Sequence, residues 1–309
     1  MNRQKQWHWL WLLSLVVILL IGCQSKPATI NSTTSSTQEE VSVDWPFYEI
    51  SKDNQVVGHV LGTMHIGKKE MYPFPDTILE PLQNSRVLLT EVKMADLEAP
   101  DMTLMMAVMA GEQPITDGMN EESLALFRQR LKEYGFEEEA VKNLNRLGVD
   151  QFLQTKYMSP TATTYGVDMQ LYGKAKQIST LKNEGLETIE EQFDLLLETY
   201  KEPADVNEWV ALIPTLKEGK ESTDELVKDY IAGDVFKYFE AEAKDSQMNA
   251  AQQAILIDQR NANWLKVIPK KLAEPGVFIA VGAGHLPTEK GVLHLLEEAG
   301  YQTTKVSFN

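Results

Sequence analysis

The chain has 309 residues, with 45 acidic against 29 basic side chains and a formal net charge of −16. That balance argues against a nucleic-acid partner and against direct electrostatic adhesion to anionic lipid. The single cysteine excludes an internal disulfide, so the fold must rest on its core, which the length allows to be large.

The chain opens with basic Arg3 and Lys5 and a 14-residue apolar run, Trp9 to Gly22. A membrane-spanning helix needs about 20 such residues, whereas the apolar region of a secretory signal has about 7–15. Residues 1–22 therefore read as a signal peptide. Cys23 follows Leu20-Ile21-Gly22, which resembles the lipobox of bacterial lipoproteins, where the cysteine is lipidated and becomes the first mature residue. Acyl chains such as palmitate would anchor the protein stably where a single chain would not. The expected location is the cell membrane, on its extracytoplasmic face. Gln24 to Glu40 is rich in Ser and Thr and nearly free of large apolar residues. Such a segment cannot bury enough surface to offset its ordering. Residues 23–44 thus read as the lipidated cysteine and a flexible tether, and 45–309 as the folded domain.

Phe47 to Ile50 and Val56 to Leu61 flank the polar turn Lys52-Asp53-Asn54-Gln55 and predict a hairpin. Its second strand runs into Gly62-Thr63-Met64-His65, where glycine lets the backbone turn sharply. A short helix is expected over Asp76 to Asn84, capped by Asp76. Val87 to Leu89 predicts a buried parallel strand ending at Glu91. The middle, about 100–245, reads as a large helical insertion. Met102, Met105, Met106 and Met109 lie at helical spacing, as a core or lid stripe. Leu124, Phe127 and Leu131 mark a helix over Glu121 to Tyr134, and similar patterns cover Thr188–Thr199, Val206–Leu216 and Thr223–Ala232. Between them, Gly166-Val167-Asp168 precedes a helix-like Leu171–Lys176, and Ile178 to Leu181 reads as a short strand leading to Glu187. A long helix is expected over Asn249 to Leu272, with Asn261 falling inside its apolar stripe and Arg260 beside it. The strand Val277–Val281 then leads to Gly282-Ala283-Gly284-His285. A helix over Glu289–Ala299, stopped by Gly300, and a strand over Thr303–Phe308 close the chain. The expected fold class is α/β: a mixed sheet from two α/β halves carrying paired GxxH motifs, with a large helical insertion.

His65 and His285 lie 220 residues apart, yet each sits just past the carboxyl end of a strand. Open α/β sheets place their ligand sites there, so the two imidazoles can converge. The bland reading of a lone histidine is packing, and it suits His59 in a strand and His294 in a helix. Glu91 at a third strand end completes a His65, Glu91, His285 set suited to a divalent metal with an open position for water. Without a metal, a histidine can activate water directly as general base. The spacing is not the HExxH of helical zinc proteases. Arg260 either belongs to a solvated turn or clamps a substrate carboxylate or oxyanion. Asn261, on an apolar stripe, needs a buried partner. Asp168 and Glu187 are candidates for ligand, orienter of a histidine or helix cap.

LGTMHIG with Pro73-Phe74-Pro75, LLTEV, GVD, GLETIEEQ, QRN, and VGAGHL with GVLHLLEEAGY resemble, in their order and spacing, the TraB/GumN family. That family is similar to the Tiki group of membrane-tethered peptidases and more remotely to the erythromycin-esterase/ChaN fold. The resemblance covers about residues 45–309 and implies an α/β fold with paired GxxH motifs around a hydrolytic centre. It further implies metal-dependent proteolysis, with manganese or cobalt favoured; zinc would also suit the donors. Carried over residue by residue, it points to His65, Glu91, Arg260, Asn261 and His285, supported by Asp168 and Glu187. This chain departs from the pattern at Gln259, where the family often has Glu, and at Leu286-Pro287-Thr288, where glycine is usual. Some TraB members are linked to pheromone shutdown, which does not require hydrolysis. The expectation is a lipid-anchored extracytoplasmic metallopeptidase acting on peptides. The alternatives are a non-catalytic peptide-sequestering protein and a metal-independent esterase of related fold. Expected partners are a peptide and, through Cys23, the membrane.

Overall fold

A computed structural model describes residues 41–98, 102–159, 161–201, 203–234 and 250–308. The expected signal peptide, Cys23 and most of the tether lie outside the described residues. Among the described residues, no helix is long and apolar enough to cross a membrane.

Six strands form one mixed sheet: β1 (Phe47–Lys52), β2 (Gln55–Thr63), β3 (Val87–Thr90), β4 (Lys182–Gly185), β5 (Val277–Gly282) and β6 (Gln302–Lys305). Their order is β4-β3-β5-β2-β1-β6. The first four positions run parallel, and β1 is antiparallel to both β2 and β6. Asp53 and Asn54 turn the β1–β2 hairpin with φ of 52° and 60°, the left-handed pair that a tight hairpin demands. The register of β2 and β5 pairs Thr63 with Gly282, so the two GxxH segments leave the sheet side by side. On the other flank of β5, Thr90 pairs with Ala280, which brings Glu91 to the same edge.

The helices are α1 (Asp76–Gln83), α2 (Met94–Glu98), α3 (Met102–Met109), α4 (Glu121–Glu133), α5 (Arg146–Tyr157), α6 (Val167–Ala175) and α7 (Ile189–Thr199). After them come α8 (Val206–Leu212), α9 (Leu216–Ile231), α10 (Ala250–Gln253), α11 (Arg260–Trp264), α12 (Ile268–Leu272) and α13 (Val292–Glu298). Central strands are buried on both faces because side chains alternate along them. Val87, Leu89, Val277, Ile279 and Val281 pack on one side with Trp264, Ile268, Leu272, Val292 and Leu296. Leu88, Phe278, Ala280 and Leu61 face the other way, toward Ile78 of α1 and Phe127, Val149, Leu171, Trp209 and Tyr230 of the insertion. The result is a sheet between two helical layers.

Several boundaries differ from the sequence reading. Pro75, not Asp76, is the N-cap of α1. The expected strand over Ile178–Leu181 is a turn, and β4 follows it at Lys182. This edge strand is polar, so hydrophobic patterning could not find it. The helix expected over Val206–Leu216 ends at Leu212 as α8, Pro214 separates it from α9, and α9 contains the helix expected over Thr223–Ala232 but starts earlier, at Leu216. The single helix expected over Asn249–Leu272 is divided. After α10 comes a π-helical turn, Ala254–Gln259, then α11, and a break before α12, which opens on Ile268-Pro269. The last helix starts at Val292 after Gly291, and the last strand ends at Lys305.

Candidate active site

The first histidine is held from below by α6. The Val167 N–H donates to the Met64 carbonyl at 2.7 Å. A Cβ on Gly166 would lie 2.3 Å from the His65 carbonyl oxygen, so only glycine permits this approach. Two residues later Asp168 Oδ2 meets His65 Nδ1 at 2.8 Å. The carboxylate holds the proton on Nδ1 and leaves Nε2 with its lone pair in the neutral ring. Burial opposes the charged form of His65, and Arg260 adds to that opposition. The charge and hydrogen bond of Asp168, with the charge of Glu91, outweigh both and raise its pKa above 6.5.

Glu91 is placed by β3 and by the β4 connection, where the Glu187 N–H donates to the Glu91 carbonyl at 2.9 Å. Oε1 of Glu91 accepts from the Gly282 N–H at 2.8 Å. Its Oε2 accepts from Arg260 Nη2 at 2.5 Å and from Gln192 Nε2 at 3.2 Å. Burial works against this carboxylate, but Arg260 and the two imidazoles hold its pKa well below the usual range. Glu187 accepts from Arg260 Nε and Nη2, from Gln192 Nε2 at 3.0 Å and from Trp264 Nε1 at 3.2 Å. Its own pKa is raised, because burial outweighs the arginine and Glu91 adds repulsion. The Thr188–Glu191 capping box starts α7 and presents Gln192 one residue later.

Arg260 is 2 % exposed, and all five of its N–H groups are taken. Nε and Nη2 serve Glu187 and Glu91, while Nη1 reaches the Leu256 carbonyl at 3.2 Å and His285 Nε2 at 3.0 Å. The π-helical turn just upstream carries the Leu256 carbonyl that accepts from it. The face of Trp264 packs 4.9 Å from the guanidinium carbon. A buried guanidinium is disfavoured, yet Glu91 and Glu187 raise its pKa further.

Asn261, fully buried, has the partner that its place on the stripe required. Its Nδ2 donates to the His285 and Lys290 carbonyls at 3.1 and 2.8 Å, so its Oδ1 must accept from His285 Nδ1, 2.8 Å away. Because Arg260 can only donate, Nε2 of His285 is an acceptor and the ring is the neutral Nδ1–H tautomer. Burial and the nearby arginine lower its pKa to about 3.

The structure therefore brings His65, Glu91, Asp168, Glu187, Arg260, Asn261 and His285 to one edge of the sheet. Arg260 has no N–H left for a substrate carboxylate or an oxyanion, so the clamping role expected for it does not fit this arrangement. A small cavity, partly open to solvent, lies over the His65 side. Its polar wall includes His65, Glu91, Asp168 and Gln192, and its apolar wall includes Val92, Met94, Leu97 and Leu171. The metal set expected from sequence does not fit as arranged. His285 uses both ring nitrogens and Glu91 both oxygens, whereas His65 keeps Nε2 open behind its bond to Asp168, so only one of the three expected ligands is available. Among the described residues, no group of three or more His, Cys, Asp or Glu is placed to hold a metal ion. Two site residues escaped the sequence reading. Trp264 reads in the sequence only as an apolar position of the last long helix, and Gln192, at the end of GLETIEEQ, carries no local signal that would mark it.

The chain is 24% identical over 264 residues to the uncharacterized protein YbaP of Shigella flexneri, covering 82% of this chain and 92% of that protein. It has the same identity and coverage with YbaP of Escherichia coli (strain K12). No solved structure matches significantly. The model of the TraB/PrgY/gumN family matches residues 46–305, and the chain belongs to that family.

Proposed function

We propose that this chain is a hydrolase acting on peptides, held by a lipid on Cys23 at the extracytoplasmic face of a cell membrane. One observation carries the catalytic reading: a histidine oriented by a carboxylate, with its second ring nitrogen unpartnered among the described residues, lines a cavity that is otherwise largely apolar. In this mechanism Asp168 keeps the His65 proton on Nδ1. Nε2 takes a proton from a water molecule as that water attacks the substrate carbonyl. Asp168 and Glu91 stabilise the imidazolium that forms, the same two charges that raise the His65 pKa. The proton then passes to the leaving amine. Val92, Met94, Leu97 and Leu171 would receive an apolar side chain of the substrate. A divalent metal remains part of the family expectation, but two of its three expected ligands, Glu91 and His285, are already engaged.

The anchoring part rests on the apolar run Trp9 to Gly22 followed by Cys23. Incubating the purified protein with apolar peptides and reading the products by mass spectrometry tests the activity. Cleavage that is lost in His65→Ala and Asp168→Ala supports it. Peptide recovered intact and tightly bound would replace hydrolysis with sequestration, and cleavage confined to ester analogues would make the chain an esterase. Labelled palmitate should enter the chain and fail to enter Cys23→Ser.

A further inference from the structure

We infer that the Arg260 guanidinium is the resident cation of this centre, and that a divalent metal ion binds Glu91 and His285 only by displacing it. The inference rests on the geometry of the buried cluster and holds whether or not the chain is a hydrolase. The groups around the guanidinium are those a divalent ion would choose: a neutral imidazole nitrogen at 3.0 Å, a Glu91 oxygen at 2.5 Å and both oxygens of Glu187. Nε2 of His285 has one lone pair and Arg260 occupies it, so the ring cannot serve both cations. Its other nitrogen carries the proton that Asn261 Oδ1 accepts. Charge points the same way. Two buried carboxylates face one guanidinium, and a dication entering beside it would meet a positive charge in a site of low dielectric. Removing the guanidinium would leave two carboxylates and an imidazole with an unfilled centre between them. Arg260 therefore acts as a built-in competitor that sets how tightly a metal is held.

Titration calorimetry of the full chain with zinc chloride tests this, using wild type, Arg260→Met and Arg260→Lys. The expected result is one zinc per chain in Arg260→Met, bound roughly tenfold or more tightly than by wild type, with Arg260→Lys between them. The gain should vanish when His285→Ala is added to Arg260→Met. Nitrogen-15 NMR of the His285 ring should show Nε2 changing on zinc addition in the Met variant at concentrations that leave wild type unchanged. If Arg260→Met fails to fold without metal, zinc should restore its circular dichroism, and failure to do so counts against the inference. Equal or weaker zinc affinity in a folded Arg260→Met overturns it. So does wild type binding zinc through His285 while the Arg260 Nε–H resonance stays in place. Because every readout is binding, a chain that cleaves no peptide would sink the hydrolase and leave this result standing.

Discussion

The two GxxH segments leave adjacent strands and deliver the same side chain to one edge, yet their histidines are driven in opposite directions. His65 gives its Nδ1 hydrogen bond to a carboxylate, His285 gives its own to an amide. On the far side of the ring, His65 has no partner among the described residues, whereas His285 accepts from a guanidinium. One pKa rises and the other falls to about 3. The motif places an imidazole; its burial and the charged partner supplied from a distant helix, Asp168 for His65 and Arg260 for His285, decide whether that imidazole can gain a proton. Asp168 comes from the start of α6 and Asn261 from α11, so the asymmetry is built by the helical layers and not by the sheet.

The strongest test of this contrast removes the cation that separates the two ends. Arg260→Met strands Glu91 and Glu187 in a buried site, and breaking a buried ion pair from one side costs about 3–5 kcal/mol. Urea denaturation should show a loss of that size. His65→Ala, at the end whose side chain is 13 % exposed, should lose no more than about 1 kcal/mol while abolishing cleavage. A next test makes the two ends alike. Asn261→Asp gives His285 a carboxylate partner, and its pKa should climb from about 3 toward the ordinary 6.5. The new oxygen would face the His285 and Lys290 carbonyls that Nδ2 now serves, so stability should fall by about 1–3 kcal/mol. The reciprocal change, Asp168→Asn, should lower the His65 pKa in a proton NMR titration and slow cleavage by about 10²-fold, with little effect on folding.

Much of this edge could be read before any coordinates. The strands before Gly62 and Gly282 show as apolar runs, β3 points to Glu91, and a polar Asn261 on an apolar stripe announces a buried partner. What could not be read was pairing at long range. Arg260 meets Glu187 across 73 residues and Glu91 across 169, and nothing in its local context separates an internal counter-ion from a substrate clamp. The π-helical turn was equally hidden, since one extra residue per turn leaves apolar spacing nearly unchanged over so short a span. β4 escaped because Lys182-Asn183-Glu184-Gly185 is an edge strand joined by backbone pairing and by Asn183, which donates to Thr90 Oγ1 at 2.8 Å and accepts from the Met94 N–H.

The smallest expected effect sharpens the comparison most cleanly, because a change of pH alone drives it. His285 has a folded pKa of about 3 against 6.5 when unfolded, so between these values the unfolded chain binds more protons. Its contribution to stability is present above pH 6.5 and is lost as pH falls toward 3. His65 is the mirror case. Its folded pKa is raised, so its contribution is complete below pH 6.5 and is lost as pH rises through the raised value. From pH 7 to 6 the His285 contribution should fall by less than about 1 kcal/mol, and His65 should oppose that fall. Urea midpoints across this range in wild type, His65→Ala and His285→Ala separate the two: removing His65 should steepen the loss on acidification, and removing His285 should flatten it. In the native chain at pH 5, the ring protons of His65 should report the charged form and those of His285 the neutral one. Two rings titrating together near 6.5 would mean that Asp168 on one side and burial with Arg260 on the other do not set the difference, and the division of roles between the two strand ends would have to be abandoned.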